Sequence, residues 1–486
     1  MPNIILFLLL FLSPLFSGCA VNPVTGQQDI VLMSEDQEIA LGRKSQQQVL
    51  QQYGVYDSQE LQDYVKNVGE KLSAKSHRPD LIYRFTVLDS KEVNAFALPG
   101  GYIYITRGLL AYLNSEAELA AVLGHEVGHV TARHAVRQYT AVQLANIGAT
   151  LGAIFIPGMN AAGNQLVQLF GTALLRGYGR EHELEADQLG AEYLARTDYN
   201  PRAMLDVIRT LKNQEQFETS AARAEGREPR IYHGLFSTHP DNDTRLKEVV
   251  NAADKYRTMT SNYTGRDVFL NHSNGLIYGD SPKEGILRGH NFYHPDLGFT
   301  IQLPRDWKVT NRPDQLQITA PNGKAIMQVA AQDINKRITP RDFMQTRLGL
   351  KNLSHESPLD IHGLPAHTGL APINTSFGNR TARFTTIYFN DKAYVFAGVT
   401  KDPGGSEEYD RNFLETAQSF HAMTDNERSL AKPLRLKIIR ADNNVNFTSL
   451  ARQSPLETYP EEQLRLLNSM FPDGQPVADM MLKVIE

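Results

Sequence analysis

Apolar residues recur along this chain at two different periods, and the change of period divides it. Over residues 34–52 and 58–73 they fall at helical spacing, which predicts two amphipathic helices. Residues 83–88 alternate as a strand. Residues 95–97 and 102–105 predict two more strands, joined by the turn sequence Leu98-Pro99-Gly100-Gly101. Helical spacing returns at Leu119, Val122, Leu123 and Val127. Ser115 with Glu118 three residues on predicts an N-cap and a capping box for that helix. Residues 140–178 are apolar and rich in Ala and Gly, broken at residues 154–159. Asn160, Asn164, Gln165 and Gln168 interrupt the second arm, so a membrane-spanning helix is not expected. A helical hairpin in the core and a lid over the neighbouring site both fit. Asn200-Pro201 opens a further helix through Leu205, Ile208 and Leu211, and residues 219–230 read as a polar surface loop.

Beyond Tyr256 the composition shifts. Residues 261–290 are polar and Gly-containing and read as a linker. From Phe292 the period becomes two: residues 298–304 alternate, residues 384–389 and 393–399 form a hairpin about Asn390-Asp391, and a short helix covers 410–420. The tail predicts a strand at 434–439, helices at 447–452 and 461–468, and a strand at 480–485. The expected fold class is α+β: a mainly helical domain with a small sheet over 19–260, an α+β accessory domain over 291–425, and a small module over 433–486.

Composition adds bounds. A chain of 486 residues is too long for one core. Its 41% hydrophobic and 21% charged content is that of a globular protein. A net charge of −5 gives no electrostatic case for nucleic acid.

The chemistry concentrates in His125-Glu126-Val127-Gly128-His129. On a helix, positions i and i+4 share a face, so both imidazoles can reach one metal ion. Zinc suits them, because it takes nitrogen ligands in tetrahedral geometry and acidifies a bound water. Glu126 then stands beside that water as a general base. A metzincin would carry a third histidine six residues past His129, where this chain has Ala135. His134 instead reads as a helix-end residue or one that backs a ligand. Downstream, Gly179-Arg180-Glu181-His182-Glu183-Leu184-Glu185-Ala186-Asp187 places Glu183 and Asp187 at i and i+4. One carboxylate to bind zinc and one to orient a ligating histidine is what such a site needs. Periodicity does not choose among Glu181, His182, Glu183 and Glu185, and an ordinary solvated helix face has the same pattern.

His125-x-x-x-His129 followed by Arg-x-x-Glu-x-Glu-Ala-Asp resembles the gluzincin family of zinc peptidases. That family includes the CAAX prenyl protease, the heat-shock protease HtpX and the periplasmic protease-chaperone BepA. Asn22-Pro23-Val24-Thr25-Gly26, residues 94–101, and Ser237-Thr238-His239-Pro240 followed by Arg245 also match. The likeness covers roughly residues 20 to 260 and is greatest to the BepA-like periplasmic branch. It implies a zincin-type metalloprotease domain with one Zn2+ per chain. It makes Glu183 the third ligand and Asp187 the orienting carboxylate. His239 and Arg245 would approach the metal, His239 as an inhibitory latch or a transition-state residue. In zinc proteases of this type an edge strand near the metal pairs with extended substrate. The accessory domain resembles the PsbP-like fold in strand order. The tail resembles a LysM module, with Ser449-Leu450-Ala451 and Asn468 in place, but Asp442-Asn443-Asn444 stands near where Gly-Asp-Thr is usual. LysM modules bind peptidoglycan.

The start of the chain suggests a compartment. The apolar run 4–16 reads as a signal-peptide core, giving a lipoprotein signal over 1–18. Phe16-Ser17-Gly18-Cys19 looks like a bacterial lipobox, and Cys19 is the sole cysteine. Ala20 after it resembles an outer-membrane sorting signal. The expectation is a periplasmic zinc endopeptidase, lipid-anchored to the outer membrane, acting in quality control on misfolded or misassembled envelope proteins. A chaperone or peptidoglycan-associated adaptor with latent peptidase activity is the alternative.

Overall fold

The structure is a computed structural model and describes residues 19–150, 178–227, 229, 262–311, 315–350, 352–375 and 377–486. The signal segment, most of the expected hairpin or lid, His239 and Arg245 lie outside the described residues. The chain divides into two compact units. One comprises residues up to Tyr278 together with Leu434–Glu486, and the other comprises Gly279–Pro433.

In the first unit, helix α1 (Glu35–Tyr53) starts at Ser34, where Ser34 and Gln37 form a reciprocal capping box. Helix α2 (Gln59–Ser73) buries Leu61, Val65, Val68 and Leu72, one apolar stripe at helical spacing. Strands β1 (Arg84–Leu88), β2 (Ala95–Leu98) and β3 (Tyr102–Thr106) form a sheet in the order β1-β3-β2. β1 and β3 are parallel, and β2 and β3 form the expected antiparallel hairpin. The turn between them needs glycine: Gly100 has φ 74°, and a Cβ there would lie 2.7 Å from Ile39 Cα of α1. β2 is an edge strand of this sheet and packs on helix α3 (Glu116–Thr131).

α3 is buried on every side from Ala117 to Thr131, not only along Leu119, Val122, Leu123 and Val127. Ser115 caps it as expected by accepting from the Glu118 amide, but the capping box is incomplete. The Glu118 carboxylate accepts instead from the Asn114 amide, one residue earlier, at 2.8 Å. Helix α4 (Arg180–Arg196) crosses α3, and helix α5 (Ala203–Ala224) packs on both. α5 runs on through the first part of the expected loop at 219–230, because Ala221 and Ala222 are buried. The expected linker at 261–290 holds a helix, Arg266–Ser273, whose Phe269 and Leu270 enter the core of this unit.

The tail forms a strand (Leu434–Arg440), two helices (Phe447–Ala451 and Pro460–Leu467) and a strand (Met481–Ile485). This is the order read from the sequence. Its two strands pair antiparallel, and Leu434 and Arg435 pair with Tyr278 and Ile277. Leu436, Phe447, Leu464, Leu467 and Ile485 share one core with residues of α2 and α3. Lys483 is completely buried and donates to the carbonyls of Ala111 and Leu113, both at 2.7 Å, just before α3 begins.

Among its described residues, the second unit has a seven-stranded antiparallel sheet, a four-stranded sheet, three α-helices and one 3-10 turn. The expected hairpin is present as Gly378–Phe389 and Lys392–Thr400. Its two-residue turn puts Asn390 and Asp391 at φ 46° and 57°, the left-handed values that such turns require. Ile318, Met327, Ile387, Phe396 and Phe420 are central in its main core.

His294 gives this unit a pH dependence. Burial pushes its imidazole down to about 4 despite the opposing charge of Asp296, and its Nδ1 accepts the Leu297 amide at 3.3 Å. The folded pKa lies below the unfolded value, so the folded unit resists protonation. That stability is fully present above about pH 6.5 and is lost as pH falls towards 4, to a total of about 3 kcal/mol. His294→Asn keeps an acceptor without titrating in this range. Thermal melts of the full chain at pH 7 and pH 4.5 should show a smaller loss for the variant. An equal loss in both proteins would remove His294 as the cause.

Candidate metal centre

His125, Glu126 and His129 all project from α3, and Glu183 and Asp187 from α4. What lets the two helices meet is the absence of side chains where they cross. A Cβ at Gly128 would lie 3.0 Å from the Ala186 carbonyl oxygen, and one at Gly190 would lie 3.1 Å from the His125 amide nitrogen. With glycine on both helices the backbones approach closely, and a glutamate on α4 can reach imidazoles on α3.

The result is a compact donor set. His125 Nε2 and His129 Nε2 lie 3.0 Å apart. Glu183 Oε2 is 3.5 Å from His125 Nε2, and Glu183 Oε1 is 3.5 Å from His129 Nε2. Zinc–nitrogen distances of about 2.0–2.1 Å in a tetrahedron put neighbouring ligand atoms about 3.3–3.4 Å apart, so these spacings fit a zinc-sized ion. Among the described residues no other group of His, Cys, Asp and Glu side chains meets as a candidate metal site. Glu183 is completely buried and Glu126 is 1% exposed. Carboxylates so deep call for a positive partner, and a divalent cation bound by His125, His129 and Glu183 supplies one.

The structure separates the four residues that periodicity left open. Glu181 is exposed. Glu183 faces the two imidazoles. Glu185 accepts from His134 Nε2 at 3.1 Å and from Arg137 at 2.7 Å. Burial opposes ionisation of Glu185, but those two hydrogen bonds outweigh it and hold the carboxyl down to about 2. The His182 ring stacks on His134, with centroids 4.4 Å apart. Burial, with His134 and Arg137 nearby, pushes its pKa down to about 4. Asp187 Oδ1 meets His125 Nδ1 at 2.8 Å. It thereby fixes the tautomer that turns Nε2 towards Glu183.

Two neighbours were not legible as such. The Tyr178 ring stacks on His129, with centroids 4.2 Å apart and planes 20° from parallel. Its hydroxyl pKa is pushed up by burial and then by the charges of Glu126 and Glu183. The far end of α3 is held by a buried ion triad. Glu38 of α1 accepts from Arg78 at 3.0 Å and from Arg133 at 2.9 Å, and Arg78 also donates to the Val130 carbonyl. Nothing local in the sequence links three charges so far apart. Cys19 begins a short strand, Cys19–Val21.

Known proteins resemble the part of the chain that holds this donor set. Residues 59–253 match the model of Peptidase family M48. Residues 59–253 are thus similar to an M48 peptidase domain. That span holds α2 to α5 and every residue of the donor set. The chain is 28% identical over 257 residues to the beta-barrel assembly-enhancing protease of Escherichia coli (strain K12), covering 51% of this chain and 50% of that one. It is 27% identical over 267 residues to the protein of that name from Yersinia pestis, covering 51% and 52%. It is 31% identical over 224 residues to the mitochondrial metalloendopeptidase OMA1 of Arabidopsis thaliana, covering 44% and 42%. The chain thus spans about half the length of these curated relatives. Among solved structures, cyanobacterial PsbP from Synechocystis sp. PCC 6803 aligns over 30% of this chain and 98% of that one. The TM-score is 0.23 at 16% identity.

Proposed function

We propose that this protein is a zinc-dependent endopeptidase of the bacterial envelope that cleaves misfolded or stalled periplasmic and outer-membrane proteins. The observation that carries the reading is the buried His125–His129–Glu183 donor set with Glu126 between the histidines and Asp187 behind His125. His125, His129 and Glu183 would hold the metal. Zinc, when bound, supplies Lewis acidity that acidifies water and polarises a carbonyl. Glu126 takes the proton from the attacking water and returns it to the departing amine, so one carboxylate serves both halves of the hydrolysis. Asp187 holds His125 in the orientation that turns Nε2 towards Glu183. An extended peptide would pair through main-chain bonds with β2, the last strand of the sheet, which packs on α3. Pairing of that kind reads little side-chain sequence, which suits substrates recognised by being unfolded.

Purified full-length protein should contain about one zinc per chain and cleave casein. A strong chelator should stop cleavage, and zinc should restore it. Cleavage that survives complete metal removal would overturn the reading.

The envelope assignment rests on the names of the bacterial relatives and on the lipobox-like run ending at Cys19. Diacylation with a further amide-linked chain would supply the two or more chains that stable anchoring needs. Cys19→Ser should therefore move the protein from the membrane fraction to the soluble fraction. An unchanged membrane fraction for that variant would reject the lipid anchor. His239 and Arg245 would approach the metal.

A second reading, an adaptor that binds peptidoglycan and whose peptidase is latent, is favoured by the strand-helix-helix-strand order of residues 434–486 and its LysM likeness. Glu126 argues against it, since a pure binding module has no use for a buried general base beside metal ligands.

A further inference from the structure

The two histidines of the donor set are backed differently. His125 has a carboxylate directly behind it, Asp187. His129 has an imidazole: its Nδ1 lies 2.8 Å from His134 Nδ1. The far nitrogen of that imidazole, His134 Nε2, lies 3.1 Å from Glu185 Oε2. We propose that His134 and Glu185 form a relay that orients His129 and raises its basicity as a ligand, doing through one intervening ring what Asp187 does directly for His125. The inference rests on the metal-site reading above and makes His134 and Glu185 positioning residues.

The proton assignments follow from the geometry. His129 turns Nε2 towards Glu183 and His125, so that nitrogen carries no proton and Nδ1 carries one. Nδ1–H then donates to His134 Nδ1, which must be an acceptor. His134 therefore carries its proton on Nε2, and that proton is donated to the Glu185 carboxylate. Each nitrogen has one role, and the series ends on a full negative charge. Arg137 donates to the same Glu185 oxygen at 2.7 Å and holds it in place.

The fold is arranged to present His134 in this way. α3 stops at Thr131, and Arg133 adopts φ 53°, a left-handed conformation that a non-glycine residue holds only when its surroundings enforce it. The enforcement is visible: Arg133 donates to the buried Glu38 carboxylate and to the Met33 carbonyl at 3.1 Å. That reversal turns the chain so that His134, the first residue of the next helix, faces back to His129. The His134 ring is fully buried and is stacked against His182. It has little freedom to leave the relay.

Zinc affinity of the full-length protein, measured by competition with a chromophoric chelator, tests the relay without reference to turnover. His134→Phe keeps a flat ring in the stack but removes both hydrogen bonds. The expected result is a zinc dissociation constant weakened about 10- to 100-fold, as for loss of other groups that orient ligands. His134→Asn puts an amide oxygen near the position of Nδ1 and should recover part of that loss, which a mere packing role would not produce. Glu185→Gln, at a half-buried position that tolerates an amide, should cost about three- to tenfold, because the acceptor remains but its charge is gone. Adding Glu185→Gln to His134→Phe should cost nothing further, since the link is already broken. Wild-type affinity in both His134→Phe and Glu185→Gln would overturn the relay while leaving the metal site standing. Failure of the wild type to bind zinc would overturn the metal site itself.

Discussion

Glu126→Gln should retain zinc and lose about 10²- to 10⁴-fold in peptide hydrolysis, the usual cost of removing a general base. The amide is nearly isosteric, so the packing around this buried position is kept, and His125, His129 and Glu183 are untouched. What is lost is the ability to accept a proton from water and give it to the leaving amine. Glu183→Gln should behave in the opposite manner, with weakened metal retention and activity that returns in part at high zinc. Measuring zinc content and casein cleavage side by side separates the two roles. Undiminished turnover by zinc-loaded Glu126→Gln would sink the assignment of Glu126 as base. It would also revive the question of whether cleavage occurs at this centre at all.

The histidine pair was legible because its chemistry is local: one helix, four residues, one face. The third ligand was not fixed by periodicity. Glu181, Glu183 and Glu185 are neighbours on a single turn or two of α4, and only the angle at which α4 crosses α3 decides among them. That crossing is set by Gly128 and Gly190, residues that a search for metal ligands passes over. Ser115 was legible as a cap because capping is decided within one turn. The destination of the Glu118 carboxylate was not, because the Asn114 amide and the Ser115 amide are both within its reach. His134 is a similar case. Its place five residues past His129 is visible in the sequence, but the left-handed turn at Arg133 that brings it back depends on Glu38, nearly a hundred positions earlier. In the tail, element order followed from local pattern. Its partner in the core did not, because Lys483 meets carbonyls some 370 residues away.

That last mismatch leads to an expected loss on truncation. A chain ending at Pro433 should not retain a folded protease unit. Deletion of Leu434–Glu486 removes Leu436, Phe447, Leu464, Leu467 and Ile485 from the core that holds α2 and α3. At about 1.5–3 kcal/mol for each large apolar side chain, the loss is on the order of 10 kcal/mol. That is comparable with the whole net stability of a typical domain, about 5–15 kcal/mol. The milder Lys483→Met isolates the polar part. It removes the donor from the carbonyls of Ala111 and Leu113. Leaving a buried acceptor without its donor costs on the order of 1–3 kcal/mol, so the melting midpoint should fall by several degrees. The strain falls on the residues that lead into α3, and through them on the seating of His125. Circular dichroism melts and zinc content of both variants decide the matter. A soluble, zinc-loaded and active truncated chain would mean that residues 434–486 are a detachable binding module. A truncated chain that aggregates, together with a destabilised Lys483→Met, would make them a structural part of the unit that holds the metal centre.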